Sequence, residues 1–459
     1  MLGKLILPDY VGLIESKDWQ ALREIFSELD PPDLAEVLED LPSEMMGIVF
    51  RVLPRDRAAE AFEYLPLEQQ TELVQTLGNE QLAGLLNEMA PDDRTRLFEE
   101  LPAAVTKRIL VTLRPDELRV ARQLLGYPEN SAGRFMTPEY MALRPNMSSA
   151  EALDHIRKNG RGLETLNVVY VTDERGHLLE DLRLAALVMA TPDAKVGELH
   201  ERELVSIPAT MDREDVVKLF EKYDRVALPV TDSRGVLIGI ITVDDVLDVA
   251  TQEASEDIQK LGGTVPLEAP YLDIGLWEMV KKRGVWLSAL FIGEMFTATA
   301  MAHYETEIAR AVVLALFVPL IISSGGNSGS QATSIIIRSL AIGELNMRDW
   351  WRVMSREVFS GLALGTLLGC IGMMRILLWP SRDKIYGPHF FVIALTVALS
   401  LIGVVMFGTL AGSMLPFLLR RLGFDPATAS APFVATLVDV TGLVIYFSVA
   451  SLILRGILL

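Results

Sequence analysis

Cysteine is almost missing from this sequence. The one thiol, Cys370, lies inside an apolar run, which excludes a disulfide framework and a thiolate metal site. Positive charge is also scarce: 42 Lys and Arg stand against 61 Asp and Glu, net −19, a balance that argues against nucleic acid as a partner. No basic stretch, apolar core and small-residue cleavage site open the chain, so the first half is expected to remain on the cytoplasmic side. A second aspartate deep in an apolar run is lacking as well. Asp439 is the sole one, and an intramembrane aspartyl protease needs two.

What is present is unevenly distributed. Residues 1–270 carry 28 Lys and Arg against 50 Asp and Glu, net −22, whereas residues 271–459 carry 14 against 11, net +3. An acidic soluble half therefore precedes a membrane half, and divalent cations would relieve the self-repulsion of the first.

Within residues 1–130, Leu29, Leu41, Leu53, Leu65, Leu77, Met89, Leu101 and Leu113 recur every twelve positions, and proline follows directly at 42, 54, 66 and 102. A residue before proline is driven out of the helical region, so each Leu-Pro closes one short helix and opens the next. The spacing predicts a stacked α-helical superhelix, with most of its acids on a solvated outer face and Asp92-Asp93 at a helix start. Residues 131–199 and 200–248 then repeat one α/β order, strand, helix, strand, turn, strand, helix. They resemble a tandem pair of CBS domains, best in the second copy at GVLIGIITVDDVLD. That resemblance implies an adenine nucleotide such as ATP as a regulator, with Thr242 and Asp245 holding ribose and phosphate. The first copy has Arg183, Ala185 and Ala186 in that segment. Residues 249–270 continue as an acidic connecting helix that stops at Gly262-Gly263.

Residues 271–459 contain five apolar runs, at 284–302, 309–337, 358–379, 390–419 and 432–454. The Lys and Arg clusters at 281–283, 338–356 and 420–421 place the soluble half in the cytoplasm and the C-terminus outside. Five spans cannot form a simple inverted repeat, so a homodimer in the lipid bilayer is the natural way to close a pore. The last run is organised around Asp439, one helical turn after Ala435. A carboxylate at that depth costs a few kcal/mol and faces a cavity, a partner or an ion; the sequence alone leaves an ion site and a structural hydrogen bond both open. In the second run, Ser323 to Gln331 is polar and rich in glycine, and reads as flexible chain lining water or packed on protein, with Asn327 and Gln331 on one face. Asp425-Pro426 reads as the start of the last helix and as an acid at the pore mouth. Glu294 and Glu357 are further buried-acid candidates, and Glu305 and Glu307 sit in an external loop.

The segments PENSAGRFMTPEY, ITVDDVLDVATQEASEDIQKLGG, PLIISSGGNSGSQ, MLPFLLRRLGFDPA and PFVATLVDVTGLVIY together resemble the MgtE family of magnesium channels over essentially the whole chain. The resemblance implies a multi-pass protein of the inner cell membrane, not an enzyme. It implies a homodimer in which Asp439 and the Ala435 carbonyl hold hydrated Mg2+, with Asn327 and Asp425 on the pathway. Mg2+ gives up its waters reluctantly, which suits such outer-shell oxygens. It further implies a feedback gate in which cytoplasmic Mg2+ binds Glu60, Asp92, the Gly133 backbone, Glu214, Asp224, Asp245, Glu253, Glu256 and Asp257. Arg96 stands where that family has an acid one turn after Asp92. The competing reading is an exchanger coupling divalent cations to Na+ or H+, with Glu294 and Glu357 as carriers.

Overall fold

A computed structural model describes residues 2–267, 271–272 and 274–457, which form two compact units, Met1–Gln252 and Glu253–Leu459. The first opens with ten helices among the described residues, from Leu2–Ser16 to Pro115–Leu124. Their limits follow the Leu-Pro steps. Leu53 ends the helix Ser43–Val52 with extended ψ of 147°, and Pro54 caps the helix Arg55–Glu63; Leu101 and Pro102 do the same between Pro91–Glu100 and Ala103–Leu110. Helices of eight to ten residues are too short to persist alone, and most of them pack on the helix two along the chain. The twelve-residue repeat supplies the core: Leu41, Leu53, Leu65, Leu77, Met89, Leu101 and Leu113 are all buried. Each such side chain contributes about 1.5–3 kcal/mol of transfer free energy.

Two three-stranded sheets follow. Strands β1 (Ala142–Leu143), β2 (Val168–Thr172) and β3 (Leu178–Arg183) form one; β4 (Ile207–Pro208), β5 (Ala227–Thr231) and β6 (Leu237–Thr242) form the other. In both, the first pair is parallel and the second antiparallel. The hairpin turns are built alike: Asp173 accepts from the backbone of Arg175 and His177, and Asp232 from that of Arg234 and Val236. Gly176 and Gly235 close these turns at φ of 83° and 80°, values that favour glycine. The hairpins then bond reciprocally, Leu178 N–H to Gly235 C=O and Leu237 N–H to Gly176 C=O, which relates the two copies by a local pseudo-twofold.

A helix of 19 residues, Val243–Leu261, carries the chain from the first unit into the second. Among its described residues, the second unit has five helices long and apolar enough to cross a membrane. They are Leu276–His303, Val318–Ala341, Trp350–Leu377, Phe390–Arg421 and Ala431–Leu454, called spans one to five below. Span four is central and packs on spans two, three and five. Small residues permit this: a Cβ at Gly329 of span two would lie 3.0 Å from the Gly408 carbonyl oxygen of span four. Span one has no buried residue within this chain.

Three expectations are corrected. Ser323–Gln331 is continuous helix inside span two, not flexible chain. In apolar surroundings no water takes up backbone N–H and C=O groups, so a glycine-rich segment satisfies them by staying helical. Asp425 caps the short 3-10 turn Pro426–Thr428, while span five starts later, capped by Ser430. Glu305 and Glu307 sit on a short helix, Glu305–Arg310.

Candidate ion pathway and acidic cluster

In the membrane unit, Asp439 and Ala435 lie one turn apart on span five and share a face. Span two brings its glycine pair against that face. A Cβ at Gly326 would meet Ala435 Cβ at 3.6 Å and Asp439 Oδ1 at 3.8 Å. The next residue, Asn327, points away from the core and reaches Ser323 Oγ at 3.4 Å through its amide nitrogen. Ser323, Asn327 and Gln331 are four apart and exposed in this chain, a polar stripe on a helix of membrane-crossing length. Hydrocarbon would leave these groups unsatisfied. Glu294 of span one faces the Asp439 carboxyl. Close by, a Cβ at Gly293 would meet Thr436 Cγ2 at 3.1 Å, so spans one and five are packed tightly at this level. Among the described residues, no three His, Cys, Asp or Glu side chains are grouped to hold a metal ion within one chain.

Asp425, expected at the pathway mouth, is engaged. One oxygen accepts from Ala427 N–H at 2.8 Å and the other pairs with Lys260 Nζ at 2.9 Å.

The soluble unit concentrates acids in a second place. Asp92, on the first turn of Pro91–Glu100, is buried, and its Oδ1 has no hydrogen-bond partner. Burial raises its pKa well above the ordinary range, helped by Asp245, Asp93 and Glu164. The same causes, burial first, lift Asp245 to about 6, Glu164 to about 7 and Glu63 to about 8. Glu63 keeps one compensating bond, from Ala90 N–H at 2.8 Å. Asp92 is therefore no solvated outer-face acid. Arg96 joins this group with its guanidinium 3.2 Å from Asp248 and 4.0 Å from Asp93.

The other expected residues are spread around. Glu60 pairs with Arg57 at the rim of the cluster, and Glu214 pairs with Lys218 on the helix Arg213–Tyr223. Asp224 ends that helix at φ of 50°, the left-handed region. Gly133 donates its N–H to the Ala209 carbonyl, and a Cβ there would run into the Tyr127 ring at 2.6 Å. Glu253, Glu256 and Asp257 follow on the connecting helix inside the second unit. The Thr242 hydroxyl donates to Asp245 Oδ2 at 2.7 Å, so these two bond each other.

Two groups escaped the sequence reading. Glu63 and Glu164 come from distant segments with no shared motif, and only the fold brings them beside Asp92 and Asp93. In the CBS-like pair, the Tyr170 hydroxyl, one Asp181 oxygen and Arg225 Nε are buried without a hydrogen-bond partner, next to the Arg202–Asp181 ion pair.

Comparison with known proteins follows the same division. A family described as a divalent cation transporter matches residues 318–449, the MgtE intracellular N domain matches 29–130, and the CBS domain matches 196–251. A magnesium transporter MgtE of Thermus thermophilus is 40% identical over 354 residues, 77% of each chain. Its namesake in Enterococcus faecalis is 32% identical over 340 residues, 74% of this chain and 73% of that one. Among solved structures, the cytosolic domain of the Mg2+ channel MgtE in complex with ATP is 36% identical, with a TM-score of 0.50 over 53% of this chain and 99% of that one. The soluble part of a magnesium transporter is 25% identical, with a TM-score of 0.53 over 55% of this chain and 99% of that one. A helical N domain, a CBS region and five membrane-length helices thus occur in one order in one polypeptide, and the chain belongs to the MgtE family of magnesium transporters.

Proposed function

We propose that this chain is a Mg2+-selective channel for homeostatic uptake, working as a homodimer in the inner membrane, with its acidic half in the cytoplasm and its C-terminus outside. The observation that carries the reading is Asp439 seated against Gly326 beside the open polar stripe of Ser323, Asn327 and Gln331. Among the described residues, one chain presents this half-lined face without a group of three metal-ligating side chains, and a second copy opposite would complete it. Asp439 and the Ala435 carbonyl hold a hydrated Mg2+, Asn327 orients its waters, and Asp425 lies at the cytoplasmic mouth. Outer-shell contacts suit an ion that keeps its waters.

Cytoplasmic Mg2+ also closes the channel. The buried Asp92 and the half-buried Asp245, with Glu60, Glu214, Asp224, the Gly133 backbone and the connector acids Glu253, Glu256 and Asp257, bind it as its concentration rises. Moving a two-state gate from mostly open to mostly closed takes about 5.5 kcal/mol, which several weak sites supply jointly. An adenine nucleotide, ATP being the one bound in a relative, acts as a regulator on the CBS pair. The unsatisfied groups around Tyr170 offer hydrogen bonds for it, beside the expected Thr242 and Asp245.

The test is Mg2+ uptake into proteoliposomes under an imposed membrane potential, with Mg2+ varied on the face bearing the acidic half. Asp439→Ala should lower flux by about tenfold or more, a barrier increase of at least about 1.4 kcal/mol. Unchanged flux in the folded variant would move the ion site elsewhere. Flux that requires Na+ or a proton gradient would replace the channel by an exchanger.

A further inference from the structure

The last turn of the connecting helix is fastened to the membrane unit by several independent contacts. Leu261 packs on the cluster of Ile337, Ala427 and Ala429. A Cβ at Gly263, which takes φ of 70°, would lie 2.7 Å from Trp286 Nε1 and 3.3 Å from Pro432 Cγ, so the backbone lies tight against spans one and five. Gln259 accepts Leu267 N–H at 2.6 Å, and Lys282 Nζ donates to the Pro266 carbonyl at 2.9 Å. At the centre of this contact, Lys260 Nζ lies 2.9 Å from Asp425 Oδ2 and 3.4 Å from Glu256 Oε2.

This ion pair is only partly shielded: Lys260 and Glu256 are each 25% exposed and Asp425 is 39% exposed. Burial pulls the Lys260 pKa down, but the hydrogen bond and charge of Asp425, with the charge of Glu256, outweigh it and leave it above its ordinary value. The ammonium is therefore held charged.

From this geometry we propose that Lys260 is a built-in cation for the pathway mouth, which occupies Asp425 and anchors the connector's last turn when Mg2+ is scarce. A tethered ammonium has an effective concentration independent of the cytoplasm. It therefore provides a share of closure that Mg2+ binding does not, and sets how far the channel opens in Mg2+-free conditions. Asp425 and Glu256 are acids of the proposed Mg2+ pathway and gate, so Lys260 and Mg2+ act on the same element. This inference rests on the gated-channel reading.

Two measurements on the full-length protein test it. Hydrogen exchange in Mg2+-free buffer should show faster exchange at residues 256–263 in Lys260→Gln than in the native protein, slowed again by added Mg2+; Lys260→Arg should stay near native. In proteoliposomes with no Mg2+ on the acidic-half face, Lys260→Gln should conduct roughly threefold more, the scale of one partly shielded ion pair. Native protection of residues 256–263 in Lys260→Gln, or native flux in Mg2+-free conditions, would overturn the proposal. Should Lys260→Gln not give monodisperse protein, Lys260→Met takes its place with the same expectations. If Mg2+ fails to inhibit the native protein, the gate reading falls and this inference with it. If Mg2+ inhibits the native protein and Lys260→Gln behaves as native, the inference alone falls.

Discussion

Adjacent glycines in span two face different surroundings, and on the proposed pathway they separate packing from transport. A Cβ at Gly325 would come within 2.5 Å of Val404 Cγ1 and 2.7 Å of Val438 Cγ1. Valine has one strongly preferred rotamer in a helix and cannot swing aside, so Gly325→Ala should cost about 1–3 kcal/mol and lower the thermal midpoint. Gly326 differs: its Cβ would make ordinary contacts of 3.6–3.8 Å, and the atoms it meets are Ala435 Cβ, Ala435 Cα and Asp439 Oδ1. Gly326→Ala should therefore fold with a native thermal midpoint and still lower Mg2+ flux by roughly tenfold, about 1.4 kcal/mol of added barrier. A Gly326→Ala protein with native flux would separate this turn from the ion pathway.

Elements were legible wherever their cause is local. The twelve-residue leucine spacing and the prolines at 42, 54, 66 and 102 act within one helix and its neighbour, and the structure places helix ends there. Hence a repeat leucine has a definite cost. Leu65→Ala removes a side chain only 3% exposed and should destabilise the N-terminal helices by about 2–5 kcal/mol, read as faster hydrogen exchange across residues 55–76. Native exchange there would mean that the repeat is not held by its leucines. Span two shows the opposite case. Its Gly and Ser content suggests flexible chain in water, and the apolar surroundings, which composition does not report, keep it helical. Contacts between distant segments were not legible at all. Lys260 and Asp425 are 165 residues apart, and Glu63 reaches the acids of the CBS-like pair only through tertiary packing. The motif at Asp439 marked one acid of the proposed pathway; the glycine set against it appears only when span two is laid beside span five.

At the scale of the whole molecule, net charge of −19 and a buried acidic group in the soluble unit make the proposed Mg2+ gate depend on pH. The native pKa values of Asp245, Glu164 and Glu63, about 6, 7 and 8, lie above the ordinary carboxylate range that an opened state restores. The folded state therefore binds more protons than the opened one between about pH 4 and 8, and its stability falls as pH rises through that window. On the proposed gate, Mg2+ takes the place of those protons, so its benefit grows as they leave. Opening of the helix Pro91–Glu100, followed by hydrogen exchange corrected for the intrinsic rate, should become easier from pH 6 to pH 8 without divalent cations. Saturating Mg2+ should then stabilise this helix by about 1–3 kcal/mol at pH 8 and by clearly less at pH 6. Asp92→Asn, which removes the carboxylate with the unpartnered oxygen, should flatten the pH dependence and shrink the Mg2+ increment together. Equal Mg2+ increments at the two pH values would detach the cation from this cluster and leave its acids as a purely electrostatic cost of the fold.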